Sequence, residues 1–509
     1  MYLGERRKRR RSSSAIRVLV LLLLISAGIY VYAMIRQEQI RSPFIPTDVP
    51  PTPTRSALSY AMEAESAYQQ GRLAEATALY EQAVALEPDN VLFYIPLVRL
   101  LTIEGRTVEA VRLGQKATEM APENARAWAV LGMAYDWNGD VSEAIDACQR
   151  AIEFDPTYAE AYAYLAEAYA DAGRWFEATD TAQTALRLDD QSVDVHRNYG
   201  YVLERQGNYW MAVAEYEKAL EIHPNLAYIH VTLGRNYRDG LGNYEKAIEH
   251  FQRATEIEPE NAQAFGELGW TYHQAGEYER AQTYLKQATE VDPQYGLAFG
   301  RLGINYYARR NYEEAIPNFE RAIELSCIVA RRRAETFYVT LENQGSEIAG
   351  PSPDVMLRGD FVAVADDQDM LRAALAPRRD EAAWADARGV VMLDVLTGKY
   401  TVELTGLPRP RSGQIYVGWF EGVDALSGLP LSTGPLTVNS EGRVEAQLET
   451  GWVEGPRIEY FYTLGLAYFY MAQCEKSYPL FDAALRIDPE EPNALKGIEL
   501  CREAESGTP

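Results

Sequence analysis

A spacing of 34 residues recurs along most of this chain. Pro88, Pro122 and Pro156 lie 34 residues apart, and the count continues, with one extra residue before Pro259, at Asp190, Pro224, Pro259, Pro293 and Cys327. A proline ends a helix because it cannot donate the backbone hydrogen bond that the helix needs. A fixed period of this length predicts stacked helical units, since one short helix pair cannot bury its own apolar face.

The repeated unit is clearest from Ala125 to Asp155, where Trp128, Leu131, Gly132 and Tyr135 spell W-x-x-L-G-x-x-Y. This spacing puts the three large side chains on one face of a first helix, and the glycine lets a second helix approach closely. The pattern resembles the tetratricopeptide repeat. The resemblance implies an α-solenoid that binds a peptide or protein partner in its concave groove.

Nine matches to this pattern predict a mainly α fold, interrupted once. Leu464, Gly465 and Tyr468 restore the pattern after a long gap. A capping helix with a polar outer face is expected to cover the last apolar surface. The predicted segments are eight repeats (57–327), an inserted β-rich domain (328–455), a ninth repeat (456–489), and a capping helix with a tail (490–509).

The N-terminal region has a different composition. Residues 1–17 form a basic head, residues 18–35 are an apolar run, and residues 36–56 are a proline-rich linker. At ~1.5 Å per residue the apolar run is long enough to cross a bilayer, with the basic side in the cytoplasm. It predicts a single-pass protein of a bacterial cell membrane, anchored by a transmembrane helix, with its bulk extracytoplasmic. A cleaved signal peptide is the alternative, because Val31-Tyr32-Ala33 matches a cleavage site.

The chain is strongly acidic, with 49 basic and 74 acidic residues and a net charge of -25. Residues 1–17 hold seven of the basic side chains, so the rest of the chain is more acidic still. Such a surface repels nucleic acid and anionic lipid. We therefore predict no nucleic-acid partner, and we attribute the charge to solubility and to the steering of partners.

The insertion has the composition of a small β domain, because short apolar runs alternate with Gly and Pro turns. Residues 367–388 are more polar and predict a short helix or a loop. The predicted antiparallel β-sandwich has strands at 336–341, 390–396, 399–404 and 414–420, and a hairpin of 436–438 with 444–448.

Two stretches of the insertion, G-K-Y-T-V-E-L-T-G-L-P and G-Q-I-Y-V-G-W-F, are similar to the extracytoplasmic β domain of membrane-anchored anti-sigma factors. The resemblance covers roughly 50 residues. It implies a domain used for sensing or contact, without chemistry of its own.

Residues that could carry catalysis are not clustered. The chain has no H-E-x-x-H, no phosphate-binding loop and no G-x-S-x-G. Asp366, Asp367 and Asp369 lack the spacing and the glycine of a calcium loop. We predict no catalytic residue, no metal and no cofactor, and hence not an enzyme. The five histidines are dispersed through the repeats: His196, His223, His230, His250 and His273.

The four cysteines divide into two kinds. Cys148 occupies a slot that holds a large apolar residue in other repeats, so it is predicted to be buried. Cys474 begins the second helix of the ninth repeat, and Cys501 lies in the capping helix that runs antiparallel to it. A disulfide between Cys474 and Cys501 is one prediction, and two free buried thiols are the alternative.

The first helix of each repeat lines the groove, and its groove-facing positions predict a partner site. Arginines in so acidic a chain predict an anchor for carboxylates of an acidic partner, and the aromatic residues a clamp for its apolar side chains. Pairing of the same arginines with nearby acids such as Glu204 or Asp239 is the alternative. The predicted groove residues are Arg197, Tyr201, Arg205, Arg235, Arg238, Trp270 and His273.

The sequence therefore predicts a non-catalytic, membrane-anchored scaffold that binds a protein or peptide partner through its repeats. One alternative is a sensory or regulatory envelope protein that acts through the β domain. The other is an accessory subunit of an enzyme that assembles envelope or polysaccharide.

Overall fold

The chain divides into two compact units, Met1–Ser56 and Ala57–Pro509. We treat each unit by itself. The computed structural model describes residues 21–31, 55–333, 336–343, 355–364, 367–377, 386–397, 399–410, 412, 414–421, 431–439, 443–449 and 457–506.

The N-terminal unit is described only by helix α1 (21–31), whose large apolar side chains are exposed. In the parts of the chain that the structure describes, no helix is both long and apolar enough to cross a membrane. The predicted location as a single-pass membrane protein with an extracytoplasmic bulk is therefore wrong. The basic head, most of the linker, and residues 18–20 and 32–35 of the predicted transmembrane helix lie outside the described residues.

The second unit begins with sixteen helices that alternate as first and second helices of eight repeats. Units 1 to 4 are α2 (Ala57–Gln69) with α3 (Leu73–Leu86), α4 (Val91–Ile103) with α5 (Thr107–Met120), α6 (Ala125–Asn138) with α7 (Val141–Phe154), and α8 (Ala159–Asp171) with α9 (Trp175–Leu188). Units 5 to 8 are α10 (Val193–Arg205) with α11 (Tyr209–Ile222), α12 (Ala227–Arg235) with α13 (Tyr244–Ile257), α14 (Ala262–Gln274) with α15 (Tyr278–Val291), and α16 (Gly296–Ala308) with α17 (Tyr312–Arg333).

A recurring hydrogen bond fixes the entry to several first helices. One side chain in the first helix donates to the backbone carbonyl oxygen six residues earlier, at the end of the preceding repeat. A polar atom on a large side chain can be buried here because it finds this acceptor. The five pairs are Tyr94 with Pro88 (2.9 Å), Trp128 with Pro122 (2.7 Å), Tyr162 with Pro156 (3.1 Å), His196 with Asp190 (2.9 Å) and His230 with Pro224 (3.2 Å).

The glycine of the repeat pattern allows the two helices of a unit to touch. A Cβ atom added at Gly132 would lie 2.3 Å from the sulfur of Cys148, and one at Gly234 would lie 2.7 Å from the ring of Phe251. Real Cβ atoms do not approach so closely, so a larger residue would force the helices apart. Cys148 is a buried free cysteine, as its slot in the pattern predicts.

The extra residue of unit 6 is taken up by a π-helical turn, Asn236–Gly240, at the end of α12. The backbone N–H of Leu241 donates to the carbonyl oxygen of Asn236, five residues back, at 3.1 Å. A π turn holds one residue more than an α turn, so the two helices keep their relative places. The extra residue before Pro259 is therefore accommodated at the end of the first helix of unit 6.

Eight strands follow α17 in the described part of the chain, and each of them pairs antiparallel with its neighbours. Their order in the sheet is β7-β6-β1-β2-β3-β4-β5-β8. They are β1 (Thr336–Asn343), β2 (Val355–Val364), β3 (Asp367–Pro377), β4 (Arg388–Asp394), β5 (Lys399–Thr405), β6 (Gln414–Glu421), β7 (Leu431–Leu436) and β8 (Val444–Glu449).

The sheet curls around one apolar core. Tyr400 on β5 and Phe420 on β6 stand near opposite ends of the strand order, yet their ring centroids are 4.9 Å apart. The ring of Phe420 also lies 4.9 Å from that of Phe337 on β1. Strands from both ends of the order therefore share a core, as packed sheet faces do.

Two sequence predictions for this region need correction. The predicted hairpin of residues 436–438 with 444–448 is present only as a turn, in which the backbone N–H of Asn439 donates to the carbonyl oxygen of Arg443 at 2.9 Å. Its strands do not pair with each other, because β7 pairs with β6 and β8 pairs with β5. The predicted helix or loop at 367–388 begins instead with the eleven-residue strand β3. Alternating Leu371, Ala373 and Leu375 face the core, which gives that stretch the period of a strand.

The ninth repeat, α18 (Ile458–Tyr470) with α19 (Cys474–Ile487), packs directly on the eighth. The hydroxyl of Tyr468 donates to Glu320 of α17 at 2.5 Å, across 148 residues of sequence. The ring of Tyr460 lies 6.1 Å from that of Phe319. The β region is thus inserted in the sequence between the eighth and ninth repeats, which pack against each other as neighbouring repeats.

The last helix, α20 (Pro492–Ser506), covers α18 and α19. Cys474 and Cys501 form a disulfide there, with their Cα atoms 5.6 Å apart. Arg486 on α19 donates to Asp394 at the end of β4, at 3.0 Å. The cap, the ninth repeat and the sheet are therefore held to one another.

Candidate functional site

The predicted groove residues fall into two clusters along the inner face of the array. Each cluster is centred on a buried carboxylate from the first helix of one repeat, and first helices of neighbouring repeats supply the arginines. The Glu167 cluster consists of Asp136, Glu167, Asp171, Arg197, Tyr201 and Arg205, and the Glu267 cluster consists of Arg235, Arg238, Glu267, Trp270, His273 and Arg301.

The Glu167 cluster has more carboxylates than arginines in its interior. Arg197 of unit 5 forms an ion pair with Glu167 of unit 4, and its guanidinium lies 4.8 Å from the ring of Trp137. Trp137 also donates to Glu167 at 3.1 Å. Arg205 lies 3.7 Å from Asp171, which accepts a 2.5 Å hydrogen bond from Tyr201. The first three predicted residues are therefore paired with acids of the preceding repeat.

Asp136 is the unusual member of this cluster. Its side chain is buried, and within the described chain neither carboxylate oxygen has a hydrogen-bond partner. Burial raises its pKa to about 9, and the charges of Glu167 and Asp171 act in the same direction. Asp136 is therefore protonated at neutral pH. Burial also raises the pKa of Glu167, although Arg197 opposes this shift.

The Glu267 cluster has the opposite balance, with three guanidiniums on one carboxylate. Glu267 lies 3.1 Å from Arg235, 2.6 Å from Arg238 and 3.3 Å from Arg301. Burial opposes ionisation of Glu267, but Arg301, Arg235 and Arg238 outweigh it and lower its pKa to about 2. Asp239 pairs with Arg238 at 2.7 Å. Counting both carboxylates, the cluster keeps one excess positive charge.

Arg301 and Arg235 show how this charge could be used. Arg301 is 9% exposed, and its Nη1 atom has no hydrogen-bond partner within the described chain. The side chain of Arg235 is 39% exposed and so can be reached from solvent. An anionic group at this cluster would gain charge-assisted hydrogen bonds, which are stronger than neutral ones.

Two stacked aromatic rings lie beside the arginines of the Glu267 cluster. The rings of Trp270 and His273 are stacked at 4.9 Å, and the Arg301 guanidinium lies 5.5 Å from the Trp270 ring. His273 donates from Nδ1 to Asn305 at 3.0 Å, and burial lowers its pKa. The neutral imidazole and the indole offer an apolar surface beside the guanidiniums.

A third cluster closes the groove nearer the N-terminus. Arg99 of unit 2 makes two 2.9 Å hydrogen bonds to Asp194 of unit 5, which is 95 residues later. Tyr68 and Tyr164 complete it, because Tyr68 accepts from Arg99 at 3.1 Å and Tyr164 donates to Asp194 at 3.0 Å. Burial opposes ionisation of Asp194, but Arg99 outweighs it and lowers the pKa of Asp194. We call these four residues the Asp194 cluster.

Unit 1 also touches the turn between units 5 and 6. The rings of Tyr68 and His223 are 4.9 Å apart, and Asn225 donates to the backbone oxygen of Gln69 at 3.3 Å. A Cβ atom at Gly71 would lie 2.2 Å from the backbone oxygen of Asn225. The array therefore winds tightly enough for its first units to contact the fifth and sixth, which fills the groove between them with its own side chains.

Sequence reasoning missed Glu267, Arg301 and Arg99, and it missed Glu167 and Asp171 as the partners of Arg197 and Arg205. The alternative that the arginines pair with nearby acids is confirmed for Asp239, which pairs with Arg238. Glu267 and Arg301 each follow a glycine at a groove-facing position, Gly266 and Gly300, and neither is among the predicted groove residues. Arg99 does occupy a groove-facing position, so the repeat pattern itself could have identified it.

The described part of the chain does not bring together residues that could bind a metal ion. No group of three or more His, Cys, Asp or Glu side chains there could hold a metal ion. Of the suspected calcium-loop residues, Asp367 and Asp369 begin β3, and Asp366 lies outside the described residues.

Sequence profiles of the tetratricopeptide repeat match several parts of the helical array. The matched residues are 67–133 and 240–302, 193–260, 125–158, 147–180, and 298–330. These segments are tetratricopeptide repeats. Proteins built from such repeats are generally non-catalytic scaffolds for protein–protein interaction. Among curated proteins, none is significantly similar to this chain in sequence.

Many solved structures with tetratricopeptide repeats are similar in part. The Cut9–Hcn1 hetero-tetramer of the APC/C is 19% identical, covers 53% of this chain and has a TM-score of 0.43; this chain spans 53% of its length. YrrB, a tetratricopeptide repeat protein with an unusual peptide-binding site, is 25% identical with a TM-score of 0.29 over 36% of this chain and 95% of its own. PilF of Pseudomonas aeruginosa is 21% identical with a TM-score of 0.35 over 40% of this chain and 91% of its own.

Proposed function

We propose that this chain is a non-catalytic scaffold whose repeats bind an acidic segment of a partner protein at the Glu267 cluster. The supporting observation is that Arg235, Arg238 and Arg301 share the single carboxylate of Glu267. Asp239 also pairs with Arg238, so the cluster keeps one excess positive charge among partly buried guanidiniums, and an anion that compensates this charge is favoured. In a chain of net charge -25, this local reversal of sign favours an acidic group of the partner.

The neighbouring side chains fit the rest of such a segment. Trp270 and His273 present stacked rings beside the arginines, where an apolar side chain of the partner can be buried. Interfaces bind chiefly through a few aromatic and arginine side chains, so this small set is enough for an anchor. Arg197, Tyr201 and Arg205 belong to the Glu167 cluster, where carboxylates already occupy them, and we assign them to the rim of the site.

The proposal is tested with a library of short random peptides selected for binding to the full chain. We expect enrichment of sequences that combine Asp or Glu with an apolar residue. For a selected peptide, Arg235→Gln should weaken binding about tenfold, because a hydrogen bond to a charged group contributes about 1.5–3 kcal/mol. The matched control is Arg280→Gln, on the second helix of unit 7, where Arg280 pairs with Glu277.

Binding should also weaken as salt is added, because the interaction is ionic. Selection of peptides without acidic residues, or equal binding by the Arg235→Gln and Arg280→Gln chains, would show that the Glu267 cluster is not the partner site.

A further inference from the structure

Units 4 and 5 carry large apolar side chains that the fold leaves in water. Trp175 is 42% exposed, Phe176 82%, Trp210 74% and Met211 49%. All four lie in the first turn of the second helix of their repeats, at the edge of the array. We call these four residues the edge patch.

The other repeats show that the fold does not need such residues there. The second residue of the second helix is small or aliphatic in units 1 to 3, where it is Ala74, Val108 and Ser142, and it is acidic in units 6 to 9, where it is Glu245, Glu279, Glu313 and Glu475. An acidic residue suits this position because the start of a helix carries partial positive charge. Units 4 and 5 instead have Phe176 and Trp210 at this position. An exposed aromatic residue that the fold does not use is typical of a protein interaction site.

The two turns are held side by side. Gln206, in the turn of unit 5, donates to the side-chain oxygen of Thr179 at 2.8 Å and to the backbone oxygen of Trp175 at 3.4 Å. Packed helices lie about 10 Å apart, so one segment of a partner can contact both turns. The edge patch is therefore a preformed surface, which lowers the cost of ordering on binding.

The charged residues around the edge patch indicate the charge that a partner should carry. Arg174 and Arg205 are already engaged, with Glu177 at 3.1 Å and Asp171 at 3.7 Å. Lys246, in the first turn of the second helix of unit 6, is likewise engaged, with Tyr237 at 3.0 Å and Glu217 at 3.9 Å. The second helices of units 3, 4 and 6 also carry exposed acidic residues, Glu143, Asp180 and Glu245. A partner that buries the aromatic residues must also face this acidic surround.

We propose that the edge patch binds an amphipathic segment of a partner protein that carries apolar and basic side chains. The apolar side chains cover Phe176 and Trp210, and the basic ones face the acidic flanks. A second copy of this chain is a poor occupant, because two chains of net charge -25 repel each other. This site is separate from the Glu267 cluster, which has the opposite charge.

The test uses the full chain and labelled synthetic helical peptides of leucine and lysine. One peptide has its leucines on a single helix face, one has the same composition in scrambled order, and one has glutamate in place of lysine. We expect the amphipathic leucine–lysine peptide to bind most tightly. Binding should fall at least tenfold in Phe176→Ser/Trp210→Ser, and it should be unchanged in the control Phe154→Ser, where another exposed ring lies in unit 3.

Binding of this peptide should also be unchanged in Arg235→Gln, which separates the inference from the proposed function. The inference is overturned if the double variant binds like the unaltered chain, or if the glutamate or scrambled peptide binds equally well. It is also overturned if sedimentation shows self-association that the double variant loses, because the occupant is then a second copy. The substituted side chains are exposed, and circular dichroism should show an unchanged helix content.

Discussion

The Asp194 cluster and the Glu267 cluster use the same groups on the same inner face, but in different proportions. Asp194 receives both hydrogen bonds of one guanidinium and a third from Tyr164, so charge and hydrogen bonding are complete. Glu267 is shared by three guanidiniums, and Nη1 of Arg301 has no partner in the described chain. The first cluster closes the array on itself, and we propose that the second binds an anion.

An arginine on the inner face is therefore not by itself evidence of a partner site. Arg99 forms an ion pair that holds units 2 and 5 together, and Arg197 forms one that joins units 4 and 5. Arg235 and Arg301 differ from these arginines because their cluster holds fewer carboxylates than guanidiniums. Substitutions that change the balance of charge within each cluster therefore test this difference.

The largest expected effect is that of Arg99→Met, which leaves Asp194 buried without its cation. Breaking a buried ion pair from one side costs about 3–5 kcal/mol of unfolding free energy. We expect faster amide hydrogen exchange in units 1 and 2 and a lower urea midpoint. Arg99→Met/Asp194→Leu should recover most of this loss, and the exposed control Arg280→Met should change little. A single variant as stable as that control would mean that the Asp194 cluster does not close the array.

Glu267→Gln should have the next largest effect, a loss of about 3 kcal/mol, because three guanidiniums then repel one another without a shared carboxylate. Arg235 is partly exposed and Asp239 remains, so the cost is smaller than at Asp194. Sulfate should restore stability to this variant more than it stabilises the unaltered chain, measured by thermal unfolding. Equal stabilisation of both chains by sulfate would contradict an anion site at this cluster.

Asp136→Asn should change stability least and in the opposite direction, with a net gain of about 2 kcal/mol at pH 7. Removing the raised pKa contributes about 4 kcal/mol at this pH, and burying amide N–H groups without partners costs about 1–3 kcal/mol. The folded pKa of Asp136 is raised to about 9, whereas an unfolded Asp titrates at about 3.9. The folded chain thus holds an extra proton between these values, and this contribution to stability is full below about pH 4 and lost as pH rises to about 9. Unfolding curves across this range should be flatter in Asp136→Asn, and an unchanged pH profile would contradict the buried neutral acid.

The helices were predictable because each repeat places the same residue types at the same spacing. Gly132 and Cys148 meet for the reason the pattern implies, and β5 matches the alternating run at 399–404 to within one residue. The partners of β7 and β8 were not predictable, since pairing with β6 and β5 depends on how the whole sheet curls. A short apolar run before a turn looks the same in a hairpin and in two distant strands.

The candidate site was predicted only in part. The positions of Arg235, Arg238 and Trp270 on the inner face follow from the repeat, but their partners do not. Arg301 reaches Glu267 across one repeat, 34 residues away, and Arg99 reaches Asp194 across three, so the second contact depends on the winding of the array. Winding results from many small packing angles, and no single motif in the sequence encodes it.

The most direct test is to map where an acidic ligand lies on the unaltered full chain. A peptide of glutamate and leucine with a photoreactive benzophenone group would be crosslinked and the adducts located by mass spectrometry. The account predicts adducts on the first helices of units 6 to 8, α12, α14 and α16, with fewer in Arg235→Gln. Adducts on α4 to α9, or spread over the second helices, would contradict the claim that the array is closed at the Asp194 cluster and able to bind an anion at the Glu267 cluster.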